Sequence, residues 1–520
     1  MLAVTADPDE FGERLAVTAD LDGKGSAAED EPHDDEPPLL DASSDSDSDE
    51  AEGKLDYWTG SDNWAGVFAN ALGLANPVPR CKDTEPPTVG TIFAGTEAPV
   101  LALNMLAADV YKHILSCDRA PASRAFVSKN FKPEHQFSEL DEYKQPVAEC
   151  HICGGECSAF HSKINFLMAG FPCPPFSGMS PNRWKDGYDP FSHPDAQGFF
   201  TMRRYLKESD AEPDSGLLEN VGSVLSKSRT QVAPAADLIM SGILKKEGKK
   251  DFKYGLKYIR QYWWKMFGPL AGQTVGLHFE RQRCFWLLLR KGKYTEENLQ
   301  SWHDNAVYLA SRAIRPTPLA HHFDDGPPQA TLSALFASDC DSDSDEGPAE
   351  TAGPVTKKRR IALENTAGAF RKTHGLAKFG SAEGHPYSST APDHIRQRLS
   401  PRELDVIDSA FLYLQKFTGN IPDTLAIDVS QSPSRMPWRT NGNLPSPCKR
   451  SLIWYNGRVL DAPTMFSLMG WPRSSLQLPK LKEAEIRTLI GNMCTPPQAG
   501  LLIASFLAIN PAFKKQRVAV

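Results

Sequence analysis

Residues Ile164–Ser177 read INFLMAGFPCPPFS, an apolar run that ends in a Pro-Cys-Pro-Pro turn. Such a run predicts a buried strand. A buried strand feeding a rigid turn puts its next side chains at the carboxyl edge of a parallel sheet, where open α/β folds keep their active sites. Pro172 and Pro174 fix the backbone on both sides of Cys173 and remove amide donors, so the thiol is held in a set direction. The plain alternative is a buried structural cysteine, since free cysteine is among the most buried residue types. The rest of the chain decides between the two.

Toward the amino terminus, Thr88–Ala94 (TVGTIFA) reads as a strand, Gly95 as its turn and Ala98–Val110 as a helix with apolar residues at helical spacing. A second strand, His113–Cys117, ends in Asp118, and a helix follows from Ala120 to about Lys129. That order is the order of a nucleotide-type βαβ unit. Its first turn receives a cofactor over a helix amino terminus, and the acid after its second strand accepts hydrogen bonds from ribose hydroxyls. Many such units bind nothing. Between this unit and the Cys173 strand stand Cys150, Cys153, Cys157 and His161, spaced C-x2-C-x3-C-x3-H. Three thiolates and an imidazole can close a tetrahedral structural zinc site; the alternative is a surface insertion with unligated cysteines.

Toward the carboxyl terminus, a Gly-, Pro- and Asp-rich stretch after Ser177 is long enough to be a mobile active-site loop. A helix at Phe199–Leu206 leads to the strand Gly216–Leu218, which ends in Glu219-Asn220-Val221 and again sets a carboxylate at a strand end. Leu256–Trp264 and Arg283–Leu289 read as two more strands. In the segment between them Arg281 and Arg283 alternate, so both point to one face of an extended chain, where the plain reading is a solvated basic edge. Ser400 then caps a helix that has Pro401 in its first turn and a helical apolar stripe.

Composition bounds the partners. The chain has 520 residues, 40% of them hydrophobic, and a net charge of −8. That charge is unevenly spread. Met1–Asp56 holds 19 acidic and three basic residues, which leaves 54 basic and 46 acidic residues elsewhere, and Asp324–Glu350 holds eight more acids with no lysine or arginine. A basic body with acidic tracts suits a polyanion partner. Ten cysteines are too few for a disulfide framework. No apolar stretch is long enough to span a bilayer, and the amino terminus has no signal-peptide pattern, so the expectation is a soluble intracellular protein. Lys357–Arg360 (KKRR) resembles a nuclear localisation signal, which makes the nucleus the expected compartment.

Taken together, from about Thr88 to Phe506, these motifs resemble the cytosine carbon-5 methyltransferase family. Phe93-Ala94-Gly95-Thr96 is similar to its first cofactor turn, Asp118 to its ribose acid, and Phe171–Ser177 to its Pro-Cys nucleophile loop. Glu219-Asn220-Val221 matches the Glu-Asn-Val motif, Arg281 and Arg283 the alternating arginines, and Arg458–Pro472 and Gly491-Asn492 the segments after the target-recognition region. Four positions depart from the pattern. Pro174 replaces a glutamine, Glu97 the second glycine of the first turn, Phe279 the glutamine before the arginine pair, and Gln197 an arginine.

The resemblance implies an α/β fold: the Rossmann-like mixed sheet of S-adenosylmethionine-dependent methyltransferases, with a smaller target-recognition region and disordered acidic tracts. It divides the chain into an acidic tail (1–56), a linker or docking segment (57–85), a catalytic core (86–306), a partly disordered insertion (307–396), a target-recognition region with its return segment (397–480) and the last part of the core (481–520). It implies S-adenosylmethionine as cofactor, bound by Phe93, Ala94, Gly95, Thr96, Asp118, Phe200, Asn492 and Cys494. Cys173 would add to carbon 6 of a flipped cytosine, Glu219 would serve N3, Asn220 would orient the Glu219 carboxyl, and Arg281 and Arg283 would contact the base or a phosphate and favour the thiolate. DNA is the expected substrate, because the Cys-Phe-Thr triplet of the RNA-directed branch is absent from the recognition region. RNA methylation, or a nucleic-acid-binding scaffold of the same fold, are the alternatives.

Overall fold

The apolar run before Cys173 forms the expected strand and lies at the centre of a seven-stranded sheet. The structure is a computed structural model that describes residues 64–79, 85–107, 110–178, 188–227, 233–244, 252–312, 367–378 and 381–511, with a few isolated positions outside these spans. The acidic tail, apart from Val17–Thr18, lies outside the described residues, as do the acidic run Ser338–Glu346 and Lys357–Arg360.

In chain order the strands are β1 (Thr88–Ile92), β2 (Lys112–Cys117), β3 (His135–Phe137), β4 (Ala148–Cys150), β5 (Gly155–Cys157), β6 (Phe166–Gly170), β7 (Ser215–Val221), β8 (Tyr262–Leu270) and β9 (Arg283–Arg290). The sheet order is β8-β9-β7-β6-β1-β2-β3, and β4 and β5 pair separately as a hairpin. β1, β2, β3, β6 and β7 run parallel, while β9 is antiparallel to both β7 and β8. Side chains alternate across β6. Phe166 and Met168 enter the core on one face, Leu167 and Ala169 the core on the other. Burial on both faces is why this strand reads as an unbroken apolar run.

The topology positions the site. The carboxyl ends of β1, β2, β6 and β7 meet at one edge, and β9, running the other way, begins there. Register fixes the details: Gly170 of β6 lies beside Glu219 of β7, and Val221 beside Arg283 of β9. One expected strand is misplaced. Leu256–Tyr258 is a 3-10 turn and β8 starts at Tyr262, because Leu256 and Ile259 are buried three residues apart, the spacing of a 3-10 turn and not of a strand.

Helix Pro496–Leu507 has all twelve residues buried and closes the core on one face of the sheet. The Trp302 indole donates to Leu502 O at 2.9 Å, and Trp64, from the docked helix Trp64–Ala71, lies close enough to Gly500 that a Cβ there would fall 2.0 Å from its ring. A smaller unit carries its own core. Strands β10 (Ala426–Asp428), β11 (Trp438–Arg439), β12 (Ile453–Tyr455) and β13 (Arg458–Val459) order as β11-β10-β12-β13. They pack with helix Pro401–Thr418, which starts in the expected way: Ser400 and Glu403 form a capping box. Phe370, Ala391 and Ile395, from before position 397, belong to the same core.

Candidate active site

Cys173 follows β6 in a tight turn whose carbonyl accepts from Phe176 N and Ser177 N, both at 2.9 Å. The turn is pinned from β7, where the Asn220 amide donates to Phe171 O at 2.9 Å. Adjacent strand residues face opposite ways, so Asn220 orients the cysteine turn and not the Glu219 carboxyl, contrary to expectation. From the other side, Gly198 approaches so closely that a Cβ would lie 2.7 Å from the Pro172 ring. Of the loop after Ser177, Arg183 is buried and donates to Phe176 O, and to Ser223 O and Ser226 O at 2.7 and 2.6 Å.

Glu219 is mostly buried, and its Oε1 lies 2.6 Å from Arg283 Nε. Burial raises its pKa, against the lowering effect of the Arg283 and Arg281 charges. Burial likewise raises the Cys173 thiol; Arg283, Lys449 and Arg281 pull the other way, and Glu219 adds to the rise. Lys449 was missed in the sequence because it sits in the smaller unit, far along the chain. Thiol, carboxyl and guanidinium therefore meet at one sheet edge, with the carboxyl biased toward holding its proton.

Arg281 does something else. Its Nε donates to Met493 O at 3.0 Å, Nη1 to Pro447 O at 2.7 Å, and Nη2 to Gly491 O and Met493 O at 2.9 and 2.6 Å. With its donors spent on three carbonyls, it ties the start of β9 to the smaller unit and to the last turn of the core. Arg283, by contrast, faces the Glu219 carboxyl.

Beside these groups lies a cavity of about 60 Å³, partly open to solvent, walled by Phe93, Ala94, Gly95, Thr96, Glu97, Glu219, Asn492 and Cys494 among others. Six of the expected cofactor residues are thus on its wall. Asp118 is not: its two oxygens accept from Gly95 N and Ala120 N, both at 2.8 Å, so it braces the turn. Phe200 is not on it either, being packed against Phe191, Phe199 and Tyr254. Phe93 and Gly95 both have positive φ, 55° and 56°, which curls the backbone around the cavity mouth.

Glu97, read in the sequence only as a lost glycine, is the unexpected group on that wall. It is fully buried in a left-handed conformation at the start of helix Ala98–Leu106. Thr91 Oγ1 and Ser116 Oγ donate to its Oε1 at 2.5 and 2.7 Å, and His113 Nε2 lies 3.6 Å from the same oxygen. Its Oε2, and Thr96 Oγ1 nearby, have no hydrogen-bond partner among the described residues. Burial pushes the Glu97 carboxyl up to about 8 and the His113 imidazole down to about 4, so both are neutral near pH 7. Unpaired buried polar atoms on a glycine-turn cavity fit a polar ligand that hydrogen-bonds there.

The sign of the pH dependence follows. Glu97 binds its proton more tightly folded than unfolded, so its contribution to stability is complete below about pH 4.5 and is lost as pH rises toward 8. His113 acts oppositely, costing stability as pH falls from 6.5 toward 4. Glu97→Gln keeps an acceptor for both hydroxyls and removes the ionisation. We expect wild type to lose on the order of a few kcal/mol relative to this variant between pH 5 and 8. Urea denaturation at the two pH values checks it; parallel behaviour of the two proteins would contradict a buried, proton-binding Glu97.

The cysteine cluster forms, but with a different histidine. Cys150, Cys153 and Cys157 converge on His135 of β3, whereas the expected His161 donates from Nε2 to Gln145 O (2.8 Å) and faces Asp210 (3.5 Å). His161 ends a short 3-10 turn, Ala159–His161, after the hairpin, and the edge strand supplies the nearer imidazole.

Comparison with known proteins matches this chain, over residues 88–505, to the family model described as C-5 cytosine-specific DNA methylase. The DNA (cytosine-5-)-methyltransferase DMT5 of Cryptococcus neoformans var. grubii is 28% identical over 142 residues, which is 26% of this chain and 6% of that protein. Among solved structures, the Entamoeba histolytica methyltransferase EhMeth aligns with 12% identity and a TM-score of 0.41, over 82% of this chain and 98% of that one. The S. pombe Dnmt2 methyltransferase aligns with 12% identity and a TM-score of 0.39, over 81% and 98%.

Proposed function

This chain belongs to the C-5 cytosine-specific DNA methylase family, and from that premise we propose that it methylates carbon 5 of cytosine in DNA through a covalent Cys173 adduct at carbon 6 of a flipped base. The observation that supports this most is the convergence of Cys173, Glu219 and Arg283 beside a cavity walled by the first turn.

S-adenosylmethionine, when bound, supplies the methyl group in electrophilic form. Its place would be the cavity of Phe93–Glu97, Asn492 and Cys494, whose glycine turn and unpaired Thr96 and Glu97 oxygens fit a polar ligand. The chain's own groups do the rest. Carbon 5 of cytosine is too electron-poor to attack an electrophile, so a nucleophile must first add at carbon 6. Cys173 loses its proton to solvent, helped by the Arg283, Lys449 and Arg281 charges, and its sulfur bonds to carbon 6; once carbon 5 carries the methyl group, a base takes the carbon-5 proton and the carbon–sulfur bond breaks to return the thiolate. Charge moves toward N3 as this happens. Glu219, whose hold on its proton burial strengthens, gives N3 a proton or hydrogen bond, while Arg283 lies against Oε1 of the same carboxyl. A carbon inside a stacked duplex is out of reach of a side chain, so the base must be flipped.

No helix among the described residues is long and apolar enough to cross a membrane. The proposal places the protein in the nucleus on the strength of Lys357–Arg360. Labelled S-adenosylmethionine offered with DNA and with transfer RNA in parallel tests the substrate. The expected product, read by nucleoside mass spectrometry, is 5-methyldeoxycytidine; label found only in 5-methylcytidine would overturn the DNA assignment, and label in neither would favour the binding scaffold.

A further inference from the structure

We propose that His135, Cys150, Cys153 and Cys157 hold a structural zinc ion that clamps the β4–β5 hairpin onto the outer strand of the central sheet. The four ligand atoms lie within 4.8 Å of one another. His135 Nδ1 is 3.8 Å from Cys150 Sγ, 3.3 Å from Cys153 Sγ and 3.5 Å from Cys157 Sγ. A tetrahedral zinc with bonds of about 2.3 Å to sulfur and about 2.0 to 2.1 Å to nitrogen sets sulfur and nitrogen about 3.6 Å apart. The observed distances bracket that value. All three thiols are free, and no disulfide competes for them among the described residues.

Local structure supports a closed site. Cys150 ends β4 and Cys157 ends β5, so a three-residue hairpin presents two sulfurs on one side. The turn between them folds back on itself, with Gly154 N donating to Cys150 O at 2.9 Å at a φ of 68°. That brings in Cys153, whose backbone N–H also points at Cys150 Sγ at 3.4 Å. His135 comes from a different strand, 15 residues earlier, and is aligned by pairing with Leu115 of β2. Three thiolates and one imidazole leave no open position for water or substrate, which is the pattern of a structural and not a catalytic zinc.

The fold has a use for the clamp. β3 is the last strand of the sheet and only three residues long, and its outer side would otherwise be a bare edge. A two-stranded hairpin of three-residue strands is marginal without reinforcement. Apart from the metal, β3 and the hairpin turn are joined by His151 N donating to Gln136 O at 2.8 Å and Ser138 Oγ meeting His151 Nε2 at 2.7 Å. β3 also supports the cofactor turn at one remove, since Phe137 O accepts from Asp118 N at 3.1 Å. This site stands apart from Cys173 and does not depend on the methylation reading.

Elemental analysis of the full chain purified without added metal tests the proposal. About one equivalent of zinc is expected, and less than about a tenth of an equivalent would overturn it. Cobalt(II) exchanged into the wild-type protein should give thiolate-to-cobalt charge-transfer absorption and strong tetrahedral visible bands; weak octahedral bands would overturn the ligand set without any substitution. Cys153→Ser, at an exposed position, and His135→Ala should each change or abolish that spectrum, and His161→Ala should leave it intact. Loss on removing His161, with retention on removing His135, would make His161 the fourth ligand and overturn this ligand set.

Discussion

Replacing Cys173 by serine is expected to lower methyl transfer by on the order of 10⁴-fold or more, while leaving cofactor binding and folding near wild type. The size follows from the chemistry. A thiol that burial has raised still ionises far more readily than an alcohol, and three cations sit where they favour the anion. Serine keeps the volume and the Pro-flanked turn, whose hydrogen bonds are backbone ones to Cys173 O. Single-turnover methylation with saturating cofactor measures the loss. A variant retaining a tenth of wild-type turnover would show that another group makes the bond to carbon 6.

Glu219→Gln should cost about 10²- to 10⁴-fold in turnover, the usual worth of a positioned general acid. The amide can keep the contact that Arg283 Nε makes with Oε1, so geometry is preserved while the proton is removed. The pH profile separates chemistry from structure. Because burial raises its pKa, Glu219 stays protonated further up the pH scale, and activity that needs this proton falls as pH rises through the raised value. Cys173 ionisation works in the opposite direction. Wild type should therefore show a bell, and Glu219→Gln a single limb rising with pH. An unchanged bell in the variant would remove Glu219 from the proton transfer.

The parts legible in the sequence are those whose physics is local. The β6 strand announced itself because both faces are buried, the Cys173 turn because proline brackets it, and the helix at Ser400 because the capping box lies within four residues. What was misread depends on contacts between distant segments. Arg281 and Arg283 look equivalent by alternation, yet one spends its donors on carbonyls of residues 447, 491 and 493, more than 160 positions away. His161 was nearest in sequence to the three cysteines, but parallel pairing of β3 with β2 brings His135 nearer in space. Glu97 appeared only as a missing glycine. The clue to its role was available in Thr91 and Ser116, hydroxyl residues at buried positions of neighbouring strands, which are the groups that satisfy half of its carboxyl.

The central claim is the covalent bond between Cys173 and the base. DNA carrying cytosine with fluorine at carbon 5 can be methylated but cannot lose the proton that release requires, so the adduct should persist. The most direct measurement is the intact mass of the denatured protein after incubation with such DNA and S-adenosylmethionine, followed by peptide mapping. The account predicts a protein–DNA adduct localised to the peptide containing Cys173, dependent on cofactor, absent from Cys173→Ser and slower to form in Glu219→Gln. Methylation of DNA by the wild-type protein with no adduct at Cys173 would contradict it.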